Sequence, residues 1–264
     1  MRNKTCVITG GTSGIGLCTA LEMKSRGYEV FDISRRTEGV SGIYHIPADV
    51  TDEHRIEAAI REILDKTGRI DILINNAGFG ISGAIEFTHT AEAKKQFEVN
   101  FFGMVNMNRA VLPIMRRQGF GRIVNISSVA APIAIPFQAY YSAAKAAINS
   151  YTMALINEVK PYGISVCAVQ PGDICTGFTG ARQKSFEGDD IYGGRIAAGV
   201  AVMEHDEQNG MKPEKAARTI AHAATIGKLK PLYTIGFKYK LFCVLAKILP
   251  ARLVSYIVGR IYGG

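Results

Sequence analysis

No apolar run in this chain of 264 residues approaches the roughly 20 residues a bilayer-spanning helix requires, so membrane spans are excluded. The opening stretch, MRNKTCVITG, shows no apolar leader and no cleavage site, and a cytoplasmic location is the expectation. Cysteine is sparse and odd in number. Cys6, Cys18, Cys167, Cys175 and Cys243 lack CxxC spacing, which argues for reduced, mostly buried thiols over disulfides. The five histidines are scattered without ligand spacing, so no metal site is expected. Repeats, low-complexity tracts and linkers are absent as well. Acidic residues are missing from Lys215 to Gly264, where nine of the 31 Lys and Arg fall. The first 214 residues then hold 22 basic against 23 acidic side chains, so the net charge of +8 belongs to the C-terminal end. A neutral body excludes nucleic acid as the expected partner.

What is present is alternation. KTCVIT, YEVFDIS, IYHIPA, IDILIN, GRIVNIS and GISVCAVQ read as short strands, several of them apolar on both faces. Between them, residues 14–26, 52–66, 90–118 and 139–161 carry apolar side chains at i, i+3, i+4 spacing. Strands buried on both faces and alternating with helices predict an α/β fold, a doubly wound parallel sheet with helices on both sides. A hydrophobic fraction of 47% is enough for the core this demands. Residues 177–210, rich in glycine and charge, break the alternation and read as an insertion over a site.

The first strand runs into TGGTSGIG, residues 9–16. Gly10, Gly14 and Gly16 allow a tight turn, close approach to a phosphate, and a helix started hard against the sheet. The helix N-terminus there offers free N–H groups to a pyrophosphate. At the end of the second strand, an acidic residue would bond the ribose 2′-hydroxyl of NAD. The chain instead places Ser34 there, followed by Arg35 and Arg36, a hydroxyl and guanidinium forks suited to a 2′-phosphate. NADP(H) is favoured. Asp32, two residues earlier and on the same strand face, keeps NAD(H) open.

The stretch YYSAAK, residues 140–145, sets two tyrosines before a lysine. Helical geometry stacks i on i+4, so Tyr141 and not Tyr140 shares a face with Lys145. An ammonium near a phenol favours the phenolate and would bring Tyr141 toward the working range of a general acid or base.

Taken together, these motifs resemble the short-chain dehydrogenase/reductase family. The resemblance covers about residues 4–235 and rests on TGGTSGIG, PADV at 47–50, NNAG at 75–78 and VN at 99–100. NISS at 125–128, YSAAK at 141–145 and PGDICT at 171–176 complete it. It implies a single-domain Rossmann fold of about seven strands. It further implies a catalytic tetrad: Tyr141 exchanging a proton with the substrate oxygen, Ser128 holding that oxygen, and Lys145 tuning Tyr141 and bonding the nicotinamide ribose. Asn100 would hold a helix irregularity and a water of the proton relay; Ser127 is the lesser candidate beside Ser128. For the cofactor, the resemblance implies Ser13 and Ile15 in the glycine turn, Asp49 and Val50 at the adenine, and Asn76, Ala77 and Gly78 along the adenosine ribose. Pro171, Gly172, Ile174 and Thr176 would fix the carboxamide end, and residues 177–210 would form a substrate lid.

The implied activity is ketone–alcohol interconversion by hydride transfer. GYEVFDISRR, GFGISGAIE and the segment 100–128 look most like members acting on steroids and retinoids, so the substrate expected is a small hydrophobic carbonyl or alcohol of steroid or lipid type. A 3-oxoacyl thioester reductase is the alternative, and a non-catalytic nucleotide-sensing regulator is a third. Family members pair as homodimers or homotetramers through the helices at 90–118 and 139–161. Residues 236–264 form a basic amphipathic helical extension. Two readings of it stay open: peripheral contact with an anionic membrane, or packing on the sheet edge, a subunit or the substrate entrance.

Overall fold

The computed structural model describes residues 4–263. Its first half runs β1 (Thr5–Thr9), α1 (Gly14–Ser25), β2 (Glu29–Ser34), β3 (Tyr44–Pro47), α2 (Glu53–Thr67), β4 (Ile72–Asn75), β5 (Ile81–Ser82), α3 (Thr90–Phe97), α4 (Gly103–Gln118) and β6 (Gly121–Ile126). The second half follows with α5 (Ala139–Val159), β7 (Ile164–Gln170), α6 (Phe178–Ala181), β8 (Gln183–Lys184), α7 (Arg195–Gln208), α8 (Pro213–Thr225), β9 (Leu232–Thr234), α9 (Phe237–Ile248) and α10 (Ala251–Tyr262).

Seven strands form one sheet in the order β3-β2-β1-β4-β6-β7-β9, every pairing parallel. The period-two alternation of a strand explains the two layers. Val7, Phe31, Leu73, Ile123 and Val166 point to one face, under Ile56 and Ile63 of α2, Met115 of α4 and Leu155 of α5. Their neighbours Cys6, Ile8, Val30, Ile72 and Val124 point to the other, under Met23 of α1 and Ile220 of α8. The doubly wound α/β architecture is therefore as expected. The sixth sequence-read strand is followed by a seventh, β9, which was not located in advance: three residues between Pro231 and Gly236 carry too short a pattern to stand out.

Helix boundaries follow local chemistry. Asp52 caps α2 by accepting from the Arg55 N–H at 3.0 Å, and Gly68, at φ +73°, ends it in the left-handed conformation. The stretch 90–118, read as one helix, is interrupted by a π-helical turn at Glu98–Phe102. The five cysteines are free thiols; Cys6, Cys167 and Cys243 are buried and Cys175 is exposed. The insertion at 177–210 supplies α6, β8 and α7, and β8 pairs with β5 in a separate two-stranded ribbon. Ile196, Val200 and Met203 of α7 form a small apolar cluster with Ala84 and Phe137. Beyond Ile235 the chain forms the pair α9 and α10.

Candidate active site

A parallel sheet sends all its strands to one C-terminal edge, where the strand order reverses between β1 and β4. The candidate residues collect on that edge. Residues 10–16 follow β1, 34–36 close β2, 48–50 follow β3, 76–78 follow β4, 127 and 128 follow β6, and 171–176 follow β7.

The turn after β1 is built around its glycines. Gly10 and Gly14 have φ of +66° and +53°, which side chains with a Cβ rarely adopt. A Cβ on Gly16 would run into the Gly10 carbonyl and the Asn76 amide, so α1 can start there only as glycine. Asn76 in turn donates from Nδ2 to the Thr9 and Gly10 carbonyls at 3.0 and 3.2 Å. The Asn76 and Ala77 N–H groups both donate to Thr9 Oγ1, at 3.0 and 2.9 Å. Ser13 is the N-cap of α1 and makes no side-chain capping bond, which leaves the first N–H groups of the helix, Ile15 included, without a capping side chain. Thr176, from the loop after β7, closes over Gly14.

At the end of β2, Asp32 is committed inward. One carboxylate oxygen takes the Gly11 N–H; the other takes the Ser34 hydroxyl at 2.8 Å and His45 Nδ1 at 2.7 Å. It is buried and holds these three partners within the protein. Arg35 and Arg36 are exposed. Arg36 reaches the Thr12 carbonyl at 3.4 Å and, with Thr12, Thr37, Glu38, Gly39 and Val40, lines an open cleft. Asp49 caps Thr51, accepting from its N–H and hydroxyl at 2.9 Å each. The side chains of Val50 and Ile174 are buried in the core, Val50 beneath Gly103.

Asn100 sits in the π-turn, where the irregularity was expected. It is buried and clamps Phe79 reciprocally: Oδ1 accepts the Phe79 N–H at 2.9 Å and Nδ2 donates to the Phe79 carbonyl at 2.8 Å. This fixes the loop carrying Gly78, where a Cβ would stand 3.0 Å from Asn100 Oδ1. A small cavity of about 10 Å³ lies against Asn100, lined also by Asn75, Ala77, Ile126 and Ile148. That is the size of a single water.

The two tyrosines diverge as helical geometry requires. The Tyr140 hydroxyl reaches out to the Ile85 carbonyl at 3.5 Å. Tyr141 turns inward beside Ser128 and Phe178, the latter with ring centroids 6.0 Å apart. Of the two serines, Ser127 spends its hydroxyl on the Lys145 carbonyl at 3.1 Å, which leaves Ser128 for Tyr141. Lys145 is 4% exposed; its Nζ donates to the Ile126 carbonyl at 2.8 Å and lies 5.6 Å from the Tyr141 ring centre. The electrostatics correct one expectation. Burial pushes the Tyr141 phenol up to about 12, against the opposing pull of its Ser128 hydrogen bond. Burial likewise draws the Lys145 ammonium down to about 8. Desolvation outweighs the lowering expected of Tyr141.

Several residues near the site had no signal in the sequence. Arg182 is buried, pairs with Glu207 of α7, and stacks its guanidinium 5.8 Å from the Phe178 ring; its Nε and Nη1 have no hydrogen-bond partner. Thr179 holds the same Glu207 at 2.7 Å. Tyr239 of α9 packs its ring on Gly172 and donates to Asp173 at 2.5 Å. These pairs join segments far apart in the chain, which no local pattern records. Tyr239→Phe should cost about 2 kcal/mol of stability, typical of a hydrogen bond to a charged group. A thermal melt should show a drop of about 4–8 °C for a domain of this size.

Comparison with known proteins gives these features a family. The family model for short chain dehydrogenase matches residues 4–185. The 3-ketodihydrosphingosine reductase of Bacteroides thetaiotaomicron is 41% identical over 223 residues, covering 83% of each chain. A short-chain dehydrogenase from Streptomyces avermitilis superposes with a TM-score of 0.86 at 31% identity, covering 98% of both chains. ElxO with NADP bound follows at a TM-score of 0.76 and 28% identity, covering 91% of this chain and all of that one. The chain belongs to the short-chain dehydrogenase/reductase family, oxidoreductases acting on CH–OH groups.

Proposed function

We infer that the protein reduces a ketone on a long-chain, lipid-like substrate to a secondary alcohol, with NADPH as hydride donor and Tyr141 as general acid. The observation that carries this reading is the trio Ser128, Tyr141 and Lys145 at the C-terminal edge of the sheet, with Ser128 and Lys145 buried and Tyr141 half-buried. The cofactor supplies the hydride. Hydride addition turns the carbonyl oxygen into an alkoxide, a stronger base than a phenolate, so the Tyr141 proton moves downhill to it. A phenol held up at about 12 is protonated at neutral pH, which suits the reductive direction. Ser128 would donate to the same oxygen and fix the carbonyl, a placed dipole of the oxyanion-hole kind. Lys145 would bond the nicotinamide ribose, and the cavity beside Asn100 would hold the relay water.

The residues present fit a phosphorylated dinucleotide. The uncapped N-terminus of α1 and the glycine turn suit the pyrophosphate, and Asn76, Ala77 and Gly78 would line the adenosine ribose. Asp49 and Val50 would lie at the adenine through their backbone. Pro171, Gly172, Ile174 and Thr176 would hold the carboxamide. With Asp32 turned inward, Ser34, Arg35 and Arg36 are left at the ribose end. Residues 177–210 would close over the substrate, and exposed Phe102 and Met153 support pairing of subunits through the 90–118 and α5 helices.

The lipid reading draws on the identity to a reductase named for 3-ketodihydrosphingosine, and it favours a long-chain ketone over a steroid. The test is NADPH turnover with 3-ketodihydrosphingosine, a steroid ketone and a 3-oxoacyl thioester. The long-chain ketone should give the highest kcat/KM by at least about tenfold, the scale of a few methylenes held in an apolar pocket. A preference for the thioester would overturn the substrate assignment. No turnover with any of them would favour the nucleotide-sensing alternative.

A further inference from the structure

The helical pair α9 and α10 presents its apolar residues on the wrong side for a core. Along α9, Tyr239, Cys243 and Ala246 follow i, i+4, i+7 spacing and face the protein. The opposite stripe, Phe237, Leu241, Val244, Leu245 and Ile248, faces solvent, with Phe237 86% and Ile248 73% exposed. Lys238 lies on one flank of that stripe, Lys240 and Lys247 on the other. In α10, Val258 and Tyr262 face inward, while Leu253, Ile257 and Ile261 face out beside Tyr256, which is 66% exposed. Arg252 and Arg260 are exposed on the same helix.

Each helix is thus amphipathic twice over: an inner stripe bolted to the protein and an outer apolar stripe bordered by cations. The inner attachment is specific. Tyr239 covers Gly172 and bonds Asp173, Tyr262 donates to Asp206 of α7 at 3.2 Å, and Arg195 Nε donates to the Gly263 carbonyl at 2.6 Å. The outer face therefore sits rigidly beside the loop 171–176 and the 177–210 segment.

We propose that this outer face docks the enzyme on an anionic bilayer surface. Among the described residues no helix is long and apolar enough to cross a membrane, so the contact is with the surface and not through it. Apolar side chains enter the headgroup boundary while the flanking lysines and arginines reach the phosphates, with their aliphatic stems lying along the apolar surface. Charge complementarity selects this occupant. The chain from Lys215 to Gly264 carries nine cations and no anion. A second copy meeting the face about a two-fold axis would set cations against cations. A nucleic acid would leave the apolar stripes without a partner. The proposal goes beyond the reaction assigned above and does not depend on it, since vesicle binding and turnover are read separately.

The experiment is co-sedimentation of the full-length protein with phosphatidylcholine vesicles, with and without phosphatidylglycerol, at low and high salt. The protein should sediment with the anionic vesicles at low salt and be released at high salt. Lys240→Gln with Lys247→Gln should weaken partitioning about 25-fold, about fivefold for each cation removed. Leu241→Asp with Ile248→Asp should abolish it while NADPH turnover of a water-soluble ketone and the melting temperature stay unchanged. Failure of the unaltered protein to sediment would overturn the proposal. So would equal binding to neutral vesicles, or a fall in solution mass of the double aspartate variant by light scattering, which would make the face a subunit interface.

Discussion

Tyr141→Phe is expected to lower turnover by about 10²–10⁴-fold, the range a positioned proton donor contributes. Binding of the cofactor should be nearly unaffected, because the substitution removes one oxygen and leaves the ring packed against Phe178 and Lys145. Tyr140→Phe is the matched control. Its hydroxyl reaches only the Ile85 carbonyl, at 3.5 Å and on the exposed side of the helix, so most activity should survive. Steady-state kinetics on the two variants, with NADPH affinity measured by fluorescence titration, separate a chemical role from a structural one. Reversed phenotypes would refute the helical-face assignment.

The second large effect concerns the choice of cofactor. Arg36→Ala is expected to raise the KM for NADPH on the order of thirtyfold, corresponding to about 2 kcal/mol for a hydrogen bond to a charged group. The KM for NADH should move little, because NADH lacks the 2′-phosphate. Arg35→Ala should act in the same direction and more weakly, since Arg36 lines the cleft with Thr12. The backbone there should hold: His45 Nε2 bonds the Arg36 carbonyl at 2.8 Å, which the substitution leaves in place. Equal changes for NADPH and NADH would refute the phosphate assignment.

Much of this arrangement was legible in the chain because it is written in short-range spacing. The period-two strands and 3.6-period helices predicted both sheet faces, and the i, i+4 relation set Tyr141 rather than Tyr140 on the face of Lys145, where the structure has it. The glycine turn was legible for a steric reason, Gly16 being unable to carry a Cβ. Other features escaped because they depend on distant partners. The commitment of Asp32 to Gly11, Ser34 and His45 required the fold to bring β1 and β3 alongside β2. The spacing of Tyr141 and Lys145 said nothing of desolvation, which sets the phenol at about 12 and the ammonium at about 8. The Arg182–Glu207 pair and the seat of Tyr239 on Gly172 join residues that nothing local relates. Of the two readings of the C-terminal segment, packing on the protein describes its inner face, while membrane contact is the proposal made for its exposed apolar outer face.

Hydride transfer from the nicotinamide to a substrate carbonyl is the central claim, and isotope transfer tests it most directly. NADPH deuterated on the transferring position of C4 would be incubated with enzyme and 3-ketodihydrosphingosine, and the product examined by mass spectrometry. The account predicts an alcohol carrying one deuterium on its carbinol carbon, formed by the unaltered enzyme and at least about 10²-fold more slowly by Tyr141→Phe. NADPH bound tightly with no deuterium delivered to this or any other ketone would contradict it.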